Sequence, residues 1–285
     1  RYPQAVEHHQ QALTLFREIG NRSGEADALN HLGLAYMRQG RYPQAVEHHQ
    51  QALALFREIG NRSGEAYALD RLGSVHLLQG RYPQAAEHHQ QALALFREIG
   101  HRSGEADALN HLGLVYRRQA QCHQAAEHHQ QALALYHEIG NRSGEAYALD
   151  HLGLVYRQQG YYPQAVEYHH QALALCREIG HRSGEADALN GIGEAHHAAG
   201  HPERAHVHHT SALALASQFG DRYEQARAHN GLAHIYFATG DSDQARHHWH
   251  HALTLYSELS VPETDDVHAH LAALDQTTAT PIKTD

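Results

Sequence analysis

Histidine is the residue type best placed to do chemistry in this chain, with 32 copies among 285 residues. Many come in pairs, as in Glu47-His48-His49-Gln50, and the run His247-His248-Trp249-His250-His251 is the densest. Neutral imidazole ligates transition metals, and its charge changes near neutral pH. Either use depends on where the rings point. Successive residues of an α-helix project about 100° apart, so His48 and His49 cannot face one ion. His247 and His251 are an i,i+4 pair and His247 and His250 an i,i+3 pair, which makes these three the candidates for weak metal chelation. A polar helix face rich in histidine is the plainer reading of the same run. Catalytic signatures are missing: there is no Gly-rich phosphate loop, no GxSxG and no CxxC, and His137-Glu138-Ile139-Gly140-Asn141 lacks the second histidine of a zinc-protease helix. The sequence reads as non-enzymatic, without a cofactor.

The elements that carry these residues repeat. Arg-Tyr-Pro-Gln stands at 1, 41 and 81, and its counterparts begin at Gln121, Tyr161, His201 and Asp241, a period of 40 residues. A fixed period of this length marks a solenoid whose units touch their neighbours. Within one period Leu29, Leu32, Gly33 and Tyr36 fall at helical spacing, and Ala45, His49, Ala52, Leu53 and Phe56 continue it. Gly40 and Gly60 end helices, Pro43 suits a first turn, and Asn61 suits an N-cap. Asn-Arg-Ser at 21, 61 and 141 is replaced by His101, His181 and Asp221, which fits capping better than glycosylation. Gly33 and Ala45 are small where paired helices cross.

Composition narrows the partners. The formal charge is −10, with 22 basic and 32 acidic residues, and the apolar fraction is 41%. Nucleic acid and anionic membranes are disfavoured, since both require clustered positive charge. Mild acid would reverse the balance through the histidines. Cys122 and Cys176 occupy packing slots of the repeat and are not expected to bridge, so a reducing, cytoplasmic setting is the default. No apolar run approaches the ~20 residues of a membrane span. The chain opens in mid-repeat without Met, as a piece of a larger protein would.

Leu32-Gly33, Tyr36, Gly40, Tyr42, Ala45, Ala52 and Leu53 together resemble the tetratricopeptide repeat (TPR) family, with a linker longer than in the usual unit of about 34 residues. The long-linker form is similar to the C-terminal arrays of bacterial multidomain signal-transduction ATPases and transcriptional regulators. The resemblance implies an all-α, right-handed superhelical solenoid of antiparallel helix pairs. It divides the chain into a lone second helix over 1–20, six pairs over 21–260, a capping helix over 261–275 and a disordered tail over 276–285. It further implies that first helices line a concave groove for a protein or peptide. There Asn30, Asp70, Asn110, Asp150, Asn190 and Asn230 form a ladder able to pair with an extended backbone. Asp27, Tyr67, Asp107, Tyr147 and Asp187 alternate three residues earlier, and Arg71, Arg117, Arg118 and Arg157 partly balance their charge. Solvation of a helix face and duplication history account for that alternation equally well.

The two histidines of each pair separate on comparison of repeats. The second slot reads His9, His49, His89, His129, His169, His209 and then Trp249, a packing ring. The first slot, His8, His48, His88, His128, Tyr168, His208 and His248, is expected on the convex surface. Buried imidazoles resist protonation, which predicts acid lability. The expected function is a peptide- or protein-binding scaffold serving as a sensor or assembly arm. Self-association, or a metal- and pH-responsive array, are the alternatives. The divergent segment from 190 to 259, with Glu194, His234, Phe237 and Trp249, is where specific contacts are expected.

Overall fold

The computed structural model describes residues 2–259 and 261–279, and every regular element among them is an α-helix. α1 (Tyr2–Glu18) comes first. Six pairs follow: α2 (Arg22–Arg38) with α3 (Tyr42–Glu58), α4 (Arg62–Leu78) with α5 (Tyr82–Glu98), α6 (Arg102–Arg118) with α7 (Cys122–Glu138), α8 (Arg142–Gln158) with α9 (Tyr162–Glu178), α10 (Arg182–Ala198) with α11 (Pro202–Phe219), and α12 (Arg222–Ala238) with α13 (Ser242–Leu259). α14 (Glu263–Ala279) closes the order. It runs past the expected end at 275 because neither Gly nor Pro interrupts Gln276-Thr277-Thr278-Ala279. Residues 280–285, the rest of the expected tail, lie outside the described residues. The chain divides into two compact units, Arg1–Asn141 and Arg142–Asp285. Within each, every pair packs on the next, so α3 meets α4 and α5 meets α6, as α9 meets α10 and α11 meets α12.

Local chemistry explains the helix boundaries. Asn21 Oδ1 accepts the Gly24 amide at 2.9 Å, Asn61 Oδ1 the Gly64 amide at 2.8 Å, and Asp221 Oδ1 the Glu224 amide at 3.2 Å. At 101 the cap is an imidazole, whose Nδ1 accepts the Gly104 amide at 2.9 Å. Pro at the first turn opens α3, α5, α9 and α11, where a missing N–H costs nothing. The residue after a first helix adopts the left-handed conformation. Gly80 does so at φ 71°, but the corresponding Ala120 holds φ 59°. An L-residue there costs roughly 1–2 kcal/mol. Ala120→Gly is therefore expected to stabilise the first unit by about 1 kcal/mol, read from denaturant midpoints at constant m-value.

The long linker has a structural use. Arg57 and Arg62 both bind the buried Glu65, at 2.9 and 2.8 Å, and Arg62 continues to Glu98 of the same pair at 2.7 Å. Arg97, Arg102, Glu105 and Glu138 repeat the arrangement, and Arg142 joins Glu145 to Glu178 in the second unit. The repeated Arg-Glu-Ile-Gly-X-Arg-Ser-Gly-Glu string is thus an ion-pair clasp. Helix crossing at Gly33 has a more specific cause than small size alone. A Cβ there would lie 2.7 Å from His49 Cε1, so the glycine makes room for an imidazole from the paired helix.

Candidate functional site

From His49 onward the second-slot histidines are buried, and each points its Nδ1 at the ladder residue of its own helix pair; His9, on the unpaired α1, is half-buried. His49 Nδ1 donates to Asn30 Oδ1 at 2.7 Å, His89 to Asp70 at 2.8 Å, and His129 to Asn110 at 2.7 Å. In the second unit His169 donates to Asp150 at 2.7 Å and His209 to Asn190 at 3.0 Å, and Trp249 donates Nε1–H to Asn230 at 3.1 Å. The ladder oxygens are therefore engaged by the paired helix, while Asn30 and Asn230 still line open cavities. The reason is that a buried N–H must find an acceptor, and the Asx oxygen supplies it. Asp70, Asn110, Asp150 and Asn190 are buried, while Asn30 and Asn230 are half-buried. Burial pushes His49 down to about 3 and His209 to about 4. His89 is also lowered, chiefly by burial.

The first-slot side chains do not project freely from a convex surface either. His48 stacks on Tyr36 at 5.2 Å between ring centroids, Tyr168 on Tyr156 at 5.1 Å, His208 on His196 at 5.5 Å and His248 on Tyr236 at 5.4 Å. Each ring meets an aromatic twelve residues earlier in the paired helix, because both stripes lie beside the same helix contact. In Glu47-His48-His49-Gln50 both histidines are packing residues on different faces, whereas His8 is exposed.

What remains open is a strip along the first helices. In the first unit Asp27, Asn30, His31, Leu34, Tyr67 and Arg71 line a cavity of about 220 Å3 between α2 and α4. Four of these are sequence-derived groove residues. Tyr67 turns its hydroxyl to His101 Nε2 at 3.3 Å, and Tyr147 meets the edge of His181. Since His101 Nδ1 accepts a backbone amide, its proton resides on Nε2, which donates to Tyr67. The alternation of 80 residues thus sets each groove tyrosine against the histidine at the next N-cap position, which caps through its side chain at His101 but not at His181. Asp107 is held instead by the Tyr136 hydroxyl at 2.7 Å.

The second unit carries a more charged counterpart. Arg157, Glu194, His197, Arg227, Asn230 and His234 line a cavity of about 300 Å3 among α8, α10 and α12. Arg227 Nε donates to Glu194 at 2.6 Å, its Nη1 pairs with Asp187, and Arg157 reaches Glu194 at 3.2 Å. Burial alone would raise Glu194, but the Arg227 and Arg157 guanidiniums hold its carboxyl well below the usual range. Glu194 and His234 come from the divergent segment. Arg157 is among the basic residues the sequence places along the groove; Arg227 is an addition, although its place 40 residues after Asp187 was the available signal.

The histidine-rich run on α13 is joined by His229 of α12. His229 stacks on His251 at 4.9 Å, His247 lies 4.6 Å from His251, and His229 Nδ1 stands 2.8 Å from His248 Nδ1. His250 is exposed and enters none of these described ring contacts. Burial and the neighbouring imidazoles lower His229 and His248 to about 4. The described residues that bring three ligand atoms within 4.8 Å of one another are different ones, Asp70, His89 and His111.

Consecutive helix pairs with a 40-residue period define a helical-repeat solenoid. The tetratricopeptide repeat model matches residues 1–58, 64–138 and 144–218, and the chain belongs to that family. No curated protein matches it in sequence. Among solved structures, apo RapI is 14% identical over 91% of this chain and 93% of its own, with a TM-score of 0.73. The STAND protein PH0952 from Pyrococcus horikoshii, with a tetratricopeptide repeat sensor, is 14% identical over 95% of this chain and 41% of its own, with a TM-score of 0.71. A Rap protein complexed with Competence and Sporulation Factor is 13% identical over 96% and 86%, with a TM-score of 0.65. At such identities the likeness is one of fold. Among the described residues no helix is long and apolar enough to cross a membrane, and both cysteines are free.

Proposed function

We propose that the chain is a non-catalytic recognition scaffold that takes an extended protein or peptide segment on the first-helix face of each unit. The observation that carries this reading is the cavity between α2 and α4, where Asp27, Tyr67 and Arg71 surround a space large enough for one side chain. Asp27 is exposed, and Tyr67 and Arg71 are half-buried, so a charged pair and an aromatic face remain presentable while the ladder behind them is fixed. The Rap protein solved with Competence and Sporulation Factor supports the same use of the fold. A sensor or assembly arm in a larger cytoplasmic regulator is the role we assign, by analogy with the STAND protein whose repeats are described as a sensor.

Selection of displayed peptides on the purified chain supplies the probe. The double change Tyr67→Ala with Arg71→Ala is expected to weaken a selected peptide at least about tenfold. Glu47→Ala and Gln51→Ala, on exposed turns of α3, should leave binding unchanged. If the α3 changes abolish binding and the Tyr67 and Arg71 changes do not, the reading fails.

A further inference from the structure

We infer that Asp70, His89 and His111 form a divalent transition-metal site that ties α4, α5 and α6 together in the first unit. Asp70 lies on α4, His89 on α5 and His111 on α6, and their ligand atoms all lie within 4.8 Å of one another. Asp70 Oδ1 is 2.8 Å from His89 Nδ1 and 2.9 Å from His111 Nδ1. Two ligands about 2.0–2.1 Å from an ion and at right angles to each other stand about 2.9 Å apart, so the separations already suit adjacent coordination positions. Both rings now direct Nδ1 at Asp70 Oδ1, so the carboxylate draws back to admit an ion among the three ligands.

Burial adds a second reason. Asp70 is 5% exposed and His89 0%, so a carboxylate and an imidazole have both been brought out of water beside one another. The two hydrogen bonds compensate part of the carboxylate's lost hydration, and a bound cation would supply more. On metal binding both imidazoles present the Nδ1 lone pair, and the proton of each neutral ring moves to Nε2. His111 is half-buried, which leaves that side of the site reachable from solvent for the ion and for waters completing its shell. Two imidazoles with one carboxylate select zinc, cobalt, nickel or ferrous iron over magnesium or calcium.

The repeat register makes the site particular. Where Asp70 stands, sister units carry Asn30, Asn110 and Asn190, and 40 residues before His111 the same position is Arg71. Asp150 provides the other ladder carboxylate, but the residue in the register of His111 is then Gly191. Among the described residues three such ligands converge at Asp70 alone.

Zinc titration by calorimetry, with cobalt absorption as a spectroscopic readout, tests the assignment on the whole chain. One equivalent is expected to bind more tightly than the background of surface histidines, with a raised Tm. Asp70→Asn and His111→Arg place residues that sister repeats already hold there, so helical circular dichroism should persist. Each is expected to weaken the tight equivalent at least about tenfold and to remove the zinc-dependent rise in Tm. His247→Ala with His251→Ala should keep both. The inference is overturned if no equivalent binds above background. It is equally overturned if binding survives Asp70→Asn and His111→Arg but disappears with the His247 and His251 changes.

Discussion

Asn190→Leu should destabilise the second unit by roughly 3–5 kcal/mol, far more than an ordinary polar substitution on a helix. Asn190 is fully buried, and its amide has three partners. Oδ1 accepts from His209 Nδ1 at 3.0 Å, while Nδ2 donates to the Glu224 carbonyl at 3.1 Å and to Glu224 Oε2 at 2.9 Å. Leucine has similar bulk but leaves a buried imidazole N–H and a buried carboxylate short of partners. Each orphan costs about 1–3 kcal/mol. Asn30→Leu is the natural comparison, since Asn30 is half-buried and its side chain bonds to His49. That change should cost about 1–2 kcal/mol. Denaturant unfolding followed in each unit checks both, and an Asn190→Leu protein within 1 kcal/mol of the parent would refute the inward-facing ladder.

The second large effect is acid lability. His49 in the first unit and His209 in the second have folded pKa values of about 3 and about 4, against an unfolded value of 6.5. Below 6.5 the unfolded chain takes up protons that the folded chain refuses, so stability falls as pH falls towards the folded values. Between pH 7.5 and 5.5 each site should remove roughly 1.3 kcal/mol, close to 3 kcal/mol for the two. His89, lowered by burial, acts in the same direction. His111 acts against it: burial lowers it, but Asp70 outweighs burial and raises it, so its contribution is fully present in acid and lost as pH rises through its folded value. Although burial would raise Asp70, His111 and His89 hold it below the normal carboxylate range, so its contribution is lost only in stronger acid, outside this window. A Tm lower by roughly 5–10 °C at pH 5.5 is expected, and a flat profile would exclude neutral buried imidazoles as the cause.

The helices were legible because the apolar stripe, the glycines at turns and the capping residues repeat with little interference. The direction of the ladder was not legible, because an Asn or Asp beside the Leu-Gly pair reads as polar surface by residue type. The clue was a covariation inside the chain. Every ladder residue carries an acceptor, and nineteen positions later every second-slot residue carries a ring N–H, including Trp249 after Asn230. Periodicity shows which residues share a face, but not which polar residues satisfy each other across two helices. The charged network at Arg227 was hidden for a similar reason: register puts Asp187, Glu194, Arg157 and Arg227 on first-helix faces of successive pairs but does not say which charges pair across them. The Asp70 site was missed because its ligands derive from three helices, whereas local spacing had pointed to His247, His250 and His251.

The imidazole N–H meets an oxygen whether its partner is asparagine or aspartate, with distances of 2.7 Å to Asn110 and 2.8 Å to Asp70. These amino acids are interchangeable by a single-nucleotide change. A nearly identical set of repeats can therefore place or erase a buried negative charge one unit at a time while its architecture stays the same. Duplication supplies copies of the scaffold, and the Asn/Asp choice gives each copy its own electrostatic identity.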